Sequence, residues 1–190
     1  MTDAVPKMIS LPNAERVMFG SAYEALFQRA LRKEMTVTLA VELSKCGVNL
    51  EKISAGYSYA DWLKTLKVTS DVLYPGKPIS ATYVYLGERL VESFFETLIG
   101  KPLIALLRLM GPERTLARMK KNLRSGNNYA ETILTKIGPG DFELWVNESD
   151  ETRFITFGVL RRGMQFVTDV SLKVELLRTD ESGTVFTVKF

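Results

Sequence analysis

The sequence predicts an α+β fold in which an N-terminal helical lobe packs on a small C-terminal antiparallel sheet of β-β-α-β-β order. Two observations predict it. Apolar residues recur at three- and four-residue spacing through most of positions 13–125, the period of helices with one buried face, and the period changes to alternation after Gly126-Asn127-Asn128. The composition supplies the core: of 190 residues, 46% are hydrophobic, 10% aromatic and 25% charged. That is the profile of one globular domain spanning 1–190, with a helical part over 13–125 and a mixed part over 129–190.

Between Asn13 and Cys46, Val17, Tyr23, Leu26, Phe27, Ala30 and Leu31 keep helical spacing, and a second helix from Thr36 ends at Gly47. Residues 61–73 form a third, with Trp62, Leu66 and Leu73 on one side, and Tyr74-Pro75-Gly76-Lys77-Pro78 stops it. Residues 80–100 carry a continuous stripe of Leu86, Leu90, Val91, Phe94, Phe95, Leu98 and Ile99, which predicts a long core-facing helix closed by Gly100. Pro102 restarts a helix over 103–110 that is apolar nearly all round and is therefore expected at the buried centre. After Gly111-Pro112, residues 113–123 read as a short basic helix. Residues 130–136 and 141–147 flank Gly138-Pro139-Gly140 as a hairpin, and 154–167 return to helical spacing despite Gly158 and Gly163. Leu172, Val174 and Leu176, then Val185 to Phe190, alternate around Asp180-Glu181-Ser182-Gly183 as a second hairpin.

Composition also excludes chemistry. With no histidine there is no Ser-His-Asp or Cys-His relay, no His-ligated zinc or haem and no imidazole switch. One cysteine makes neither a disulfide nor a zinc cluster. No dinucleotide or phosphate-loop glycine motif occurs, so no cofactor and no metal are expected. Asp3 and Pro6 interrupt what would be a signal peptide, so residues 1–12 read as a short arm. The apolar stretch 98–110 contains Lys101, Pro102 and Arg108 and falls short of the roughly 20 apolar residues that span a bilayer. The expectation is a soluble, cytoplasmic protein without a membrane span.

The charged signals are few. Arg114, Arg118, Lys120, Lys121 and Arg124 follow one another without a carboxylate, and Arg114, Arg118 and Lys121 share a helix face. They would suit a phosphate-bearing ligand, a nucleic acid or an acidic protein, with Asn127 and Asn128 adding an anion nest. The plainer reading is a solvated face paired with acids such as Glu88, Glu92 and Glu96. Those three glutamates lie opposite the apolar stripe and read as surface. Cys46 reads as packing, and Tyr57, Tyr59, Trp62, Tyr83, Tyr85, Phe94 and Phe95 as core aromatics that could also line a pocket.

Several short motifs are shared with known proteins: Phe19-Gly20-Ser21, Tyr74-Pro75-Gly76, Leu86-Gly87-Glu88-Arg89, Thr97-Leu98-Ile99-Gly100-Lys101, Gly111-Pro112-Glu113-Arg114, Asn127-Asn128-Tyr129 and Phe157-Gly158-Val159-Leu160. In this order, from about residue 17 to the end, they resemble an uncharacterised paralogous family of proteins of about 200 residues expanded in myxobacteria. More distantly, helices followed by β-β-α-β-β are similar to the superfamily of haem-nitric-oxide-binding, vinyl-reductase-like and TRAPP-type domains. The haem branch is contradicted directly, because the axial histidine and Tyr-x-Ser-x-Arg motif in which its members resemble one another are missing here, and Tyr57-Ser58-Tyr59 does not supply the motif.

The resulting expectation is a non-enzymatic sensory or adaptor domain that binds a small ligand, a protein partner or both in signalling. The alternatives are nucleic acid or a cyclic dinucleotide on the basic helix, and a histidine-independent enzyme. Exposure of the apolar stretch 103–110 would point to a homodimer interface.

Overall fold

A computed structural model of the chain describes residues 11–97, 100–168 and 171–190. The predicted 1–12 arm lies outside them except for Leu11 and Pro12, as do Leu98 and Ile99 of the expected long helix. The architecture is α+β with the predicted β-β-α-β-β ending.

The first strand among the described residues is one that periodicity had merged into a helix. β1 (Val17–Phe19) pairs antiparallel with β2 (Gly56–Ser58), in the register Val17 to Ser58 and Phe19 to Gly56. α1 (Gly20–Tyr23) runs into a π-helical stretch, Glu24–Ala30, marked by Leu31 N–H donating to Leu26 O at 2.8 Å. α2 (Val37–Lys45) starts where Thr36 Oγ1 accepts from Leu39 N–H, and it ends before Gly47, whose φ of 83° needs a residue without Cβ. α3 (Tyr59–Leu73) is capped by Ser58, which accepts from Asp61 N–H.

α4 (Ile79–Phe95) is the expected core helix, but it ends at Phe95 rather than Gly100. Gly100 begins α5 (Gly100–Met110), and an added Cβ there would strike the Phe94 carbonyl and lie 2.7 Å from Phe95 Cα. Around α1 to α4, Tyr23, Leu26, Phe27, Leu39, Leu43, Trp62, Leu66 and Leu86 form the main core, which also takes in Tyr129 and Ile155.

α5 is not central. Only Leu107 among its leucines is buried, packed with Phe95 and Val167, while Leu106 is 50% and Leu109 86% exposed. All-round apolarity signals burial only where neighbours surround a helix, and here one side meets the domain while the other faces water. The basic segment is two short helices, α6 (Pro112–Ala117) and α7 (Met119–Leu123), jointed at Arg118.

The sheet has the order β3-β4-β6-β5, all antiparallel: β3 (Thr132–Gly138), β4 (Asp141–Val146), β5 (Lys173–Asp180) and β6 (Gly183–Lys189). Between the hairpins runs α8 (Arg153–Val167). One sheet face, with Phe142, Leu144, Val146, Phe186 and Val188, packs on Leu160 and Met164 of α8 and on Leu116 and Met119 of α6 and α7. The sheet thus meets α6, α7 and α8, and α8 in turn carries the N-terminal helices.

Candidate functional site

The two halves of the fold are joined by α4 and α8, and glycine sets their distance. A Cβ on Gly158 would overlap the Val84 carbonyl and lie 3.1 Å from Glu88 N; a Cβ on Gly87 would overlap the Ile155 carbonyl and lie 3.0 Å from Val159 N. The backbones therefore touch. Beside this crossing the small side chains Ser80, Ala81 and Val84 of α4 face Phe154, Phe157 and Arg161 of α8, and Leu176 of β5 completes an open groove of about 410 Å³. Arg161 is its cation. The guanidinium lies 5.3 Å from the Phe157 ring centroid and donates from Nε and Nη2 to Glu88 Oε1 at 2.9 and 2.6 Å. One helical turn on, Arg162 Nε donates to Glu92 at 2.8 Å.

Glu88 and Glu92, expected on an outer surface, are thus half-buried partners of α8, and only Glu96 stands exposed. The reason is that α8 packs beside the apolar stripe, so the flank of α4 becomes an interface. Glu92 also accepts from Arg89, which reaches Ala30 O at 3.0 Å and ties α4 to the π-helical stretch.

A second polar cluster, unseen in the sequence, lies where the β4–α8 loop meets the N-terminus of α3. Glu148 is 5% exposed and accepts from Thr156 Oγ1 at 2.5 Å. Burial pushes its carboxyl up to about 7, and the Asp150 charge adds to that against the opposing pull of the Thr156 bond and the Arg16 cation. Asp150 accepts from the Tyr59 phenol at 2.5 Å and the Thr152 hydroxyl at 2.6 Å. Arg16 stacks 5.5 and 5.2 Å from the Tyr59 and Tyr129 ring centroids. Burial raises both phenols, so neither is a base at neutral pH. A sequence signal did exist, in Glu148 and Asp150 at the end of an apolar strand, but nothing local said that the loop turns inward.

The five predicted cations divide between two faces. Lys120 and Arg124 both pair with Glu131, each at 2.5 Å, and Glu113 on the same face pairs with Lys136 at 3.1 Å. Their acids come from the strand side, not from the expected Glu88, Glu92 and Glu96. Arg114, Arg118 and Lys121 are exposed on the other face, where Arg118 Nη1 lies 4.0 Å from Met110 Sδ. Asn127 and Asn128 serve the backbone. Asn127 Oδ1 accepts from Tyr129 N–H at 3.0 Å and Ala130 N–H at 2.7 Å, and its amide donates to Leu123 O. Asn128 accepts from Val17 N–H at 2.8 Å and donates to Glu15 O. The Asn127 amide fixes the turn over 123–130, and the Asn128 amide ties that turn to β1.

Cys46 is half-buried at the C-terminal cap of α2. Tyr57, Tyr59, Trp62, Tyr83 and Phe95 are core, while Tyr85 and Phe94 are partly exposed. Among the described residues, no group of three His, Cys, Asp or Glu side chains is placed to hold a metal ion, and no helix is long and apolar enough to cross a membrane.

Solved structures share this fold. An oxygen-binding H-NOX domain related to soluble guanylate cyclases has a TM-score of 0.68 at 13% identity, covering 91% of this chain and 95% of its own. A protein solved to study haem redox potential through porphyrin distortion has a TM-score of 0.67 at 15% identity, with coverage of 91% and 95%. The Fe(II) unliganded H-NOX protein from K. algicida has a TM-score of 0.64 at 12% identity, with coverage of 90% and 96%. At these identities the likeness is one of fold.

The haem of such proteins does not fit here. The chain has no histidine, and the groove is lined by no cysteine, methionine or tyrosine. The core tyrosines are packed against rings, as Tyr23 is on Tyr57 at 4.0 Å and Trp62 at 5.1 Å. No curated protein sequence matches the chain. A family model described as "protein of unknown function (DUF2378)" matches residues 16–190.

Proposed function

The chain belongs to the DUF2378 family of proteins of unknown function and has the H-NOX-like fold, and from that premise we propose that it is a non-enzymatic sensory or adaptor domain. Its ligand is a small, largely apolar molecule carrying an anionic or hydrogen-bonding group, bound in the groove beside the α4–α8 crossing. The observation that carries this reading is the groove itself, where Val84, Phe154, Phe157 and Leu176 offer apolar walls and Arg161 a single cation. The place suits sensing, because α4, α8 and β5 meet there and α8 reaches both the main core and the sheet core. An occupant that shifts α8 therefore acts on both halves.

Native mass spectrometry of the purified protein, followed by denaturation and identification of any released molecule, tests the proposal. The expected result is a mass above that of the bare chain, lost in an Ala81→Trp variant that fills the groove while the fold is retained. A bare chain that binds no apolar acid in calorimetric titration refutes the ligand, and a turnover activity refutes the non-enzymatic role.

A further inference from the structure

α5 is amphipathic, with its polarity partly reversed. Leu103, Ile104 and Leu107 turn inward to Phe95, Phe166 and Val167, which leaves Leu106 and Leu109 as an apolar ridge facing water. A ridge of this kind is available to a partner surface. Its surroundings indicate what that is. On α6 and α7 the face of Glu113, Lys120 and Arg124 is neutralised by Lys136 and Glu131. Arg114, Arg118 and Lys121 are exposed, and among the described residues no ion pair joins them to a carboxylate. Their segment joins the ridge where Arg118 approaches Met110. Lys101 and Arg108 are exposed on α5 itself, with Arg108 anchored to Phe166 O at 2.8 Å. Two outward leucines on α5 are thus joined, through the Arg118–Met110 contact, to a neighbouring segment that exposes three cations.

We propose that this face, Leu106 and Leu109 with Arg114, Arg118 and Lys121, docks on an anionic lipid surface. Leucines at the headgroup boundary with cations around them are the arrangement by which an interfacial helix holds to acidic lipid. Leu109 is 86% exposed, and a lipid interface deforms around such a side chain without needing a matching groove. A nucleic acid would use the cations but gain nothing from Leu106 and Leu109. This inference does not depend on the groove.

Vesicle co-sedimentation tests it, using phosphatidylcholine vesicles with and without phosphatidylserine. The expected result is binding only when phosphatidylserine is present, weakening as salt rises. Each cation near an acidic lipid surface contributes about fivefold in affinity, so Arg118→Ala with Lys121→Ala weakens binding about thirtyfold. Leu109→Gln weakens it about tenfold. Both variants change only exposed side chains, so their unfolding curves match that of the parent and the loss reads as loss of docking. Equal sedimentation without phosphatidylserine, no sedimentation at low salt, an unaffected Leu109→Gln variant, capture by duplex DNA but not by vesicles, or a homodimer in solution that Leu109→Gln dissociates overturns the proposal.

Discussion

Gly158 and Gly163 lie five residues apart on α8, and alanine at the two positions should move stability in opposite directions. Helix propensity alone makes each change favourable, by about 0.5–1 kcal/mol, because glycine loses more backbone freedom on folding than alanine. At Gly163 nothing lies within 4 Å of an added Cβ, so the local gain stands and Gly163→Ala stabilises by about that amount. At Gly158 the same methyl overlaps the Val84 carbonyl and comes within 3.0 Å of Val84 C and 3.1 Å of Glu88 N. These are backbone atoms of α4, so no side chain can rotate away and the two helices must separate. Overpacking of this kind costs about 1–3 kcal/mol or more. After the propensity gain is subtracted, Gly158→Ala is net destabilising by about 1–2 kcal/mol. Separation also strains the Arg161–Glu88 and Arg162–Glu92 pairs that flank the crossing. Urea unfolding at neutral pH, with both variants beside the parent, reads the two signs. A Gly158→Ala protein as stable as Gly163→Ala refutes the close crossing and with it the shape of the groove.

The buried carboxyl gives a pH prediction. Free of the fold, Glu148 loses its proton near 4.5, while in the folded chain it keeps it to about 7. The unfolded chain therefore binds fewer protons between those values, and the Glu148 contribution is fully present below 4.5 and lost as pH rises through 7, by about 3 kcal/mol in all. Glu148→Gln removes that slope and keeps an acceptor for Thr156. A difference between parent and variant that stays constant from pH 4 to pH 8 in thermal melts contradicts the buried, raised carboxyl. Asn127→Ala should destabilise by about 3 kcal/mol, since the Tyr129 and Ala130 N–H groups lose their acceptor in a buried place. An Asn127→Ala protein of full stability that has lost an anion site would show instead that this amide serves a ligand.

The sequence by itself determined what depends on local period and on composition. The alternation after Asn128 produced both hairpins, the return to helical spacing over 154–167 produced the helix between them, and the Leu86 to Phe95 stripe produced α4, because residues two apart on a strand or three and four apart on a helix share a face wherever the element ends up. The lack of histidine removed relays and histidine-held haem before any contact was known. Tertiary structure decided everything that depends on which face meets which neighbour. Leu106 and Leu109 read as core and are exposed, because only one side of α5 has the domain against it. Glu88 and Glu92 read as surface and face α8. Lys120 and Arg124 find their acid on the residue before β3 rather than on α4. Gly158, which reads as a weak point in a helix, is where α8 meets α4 backbone to backbone. The groove and the Glu148 cluster are each assembled from segments far apart in the chain, and periodicity holds no information about which distant segments meet.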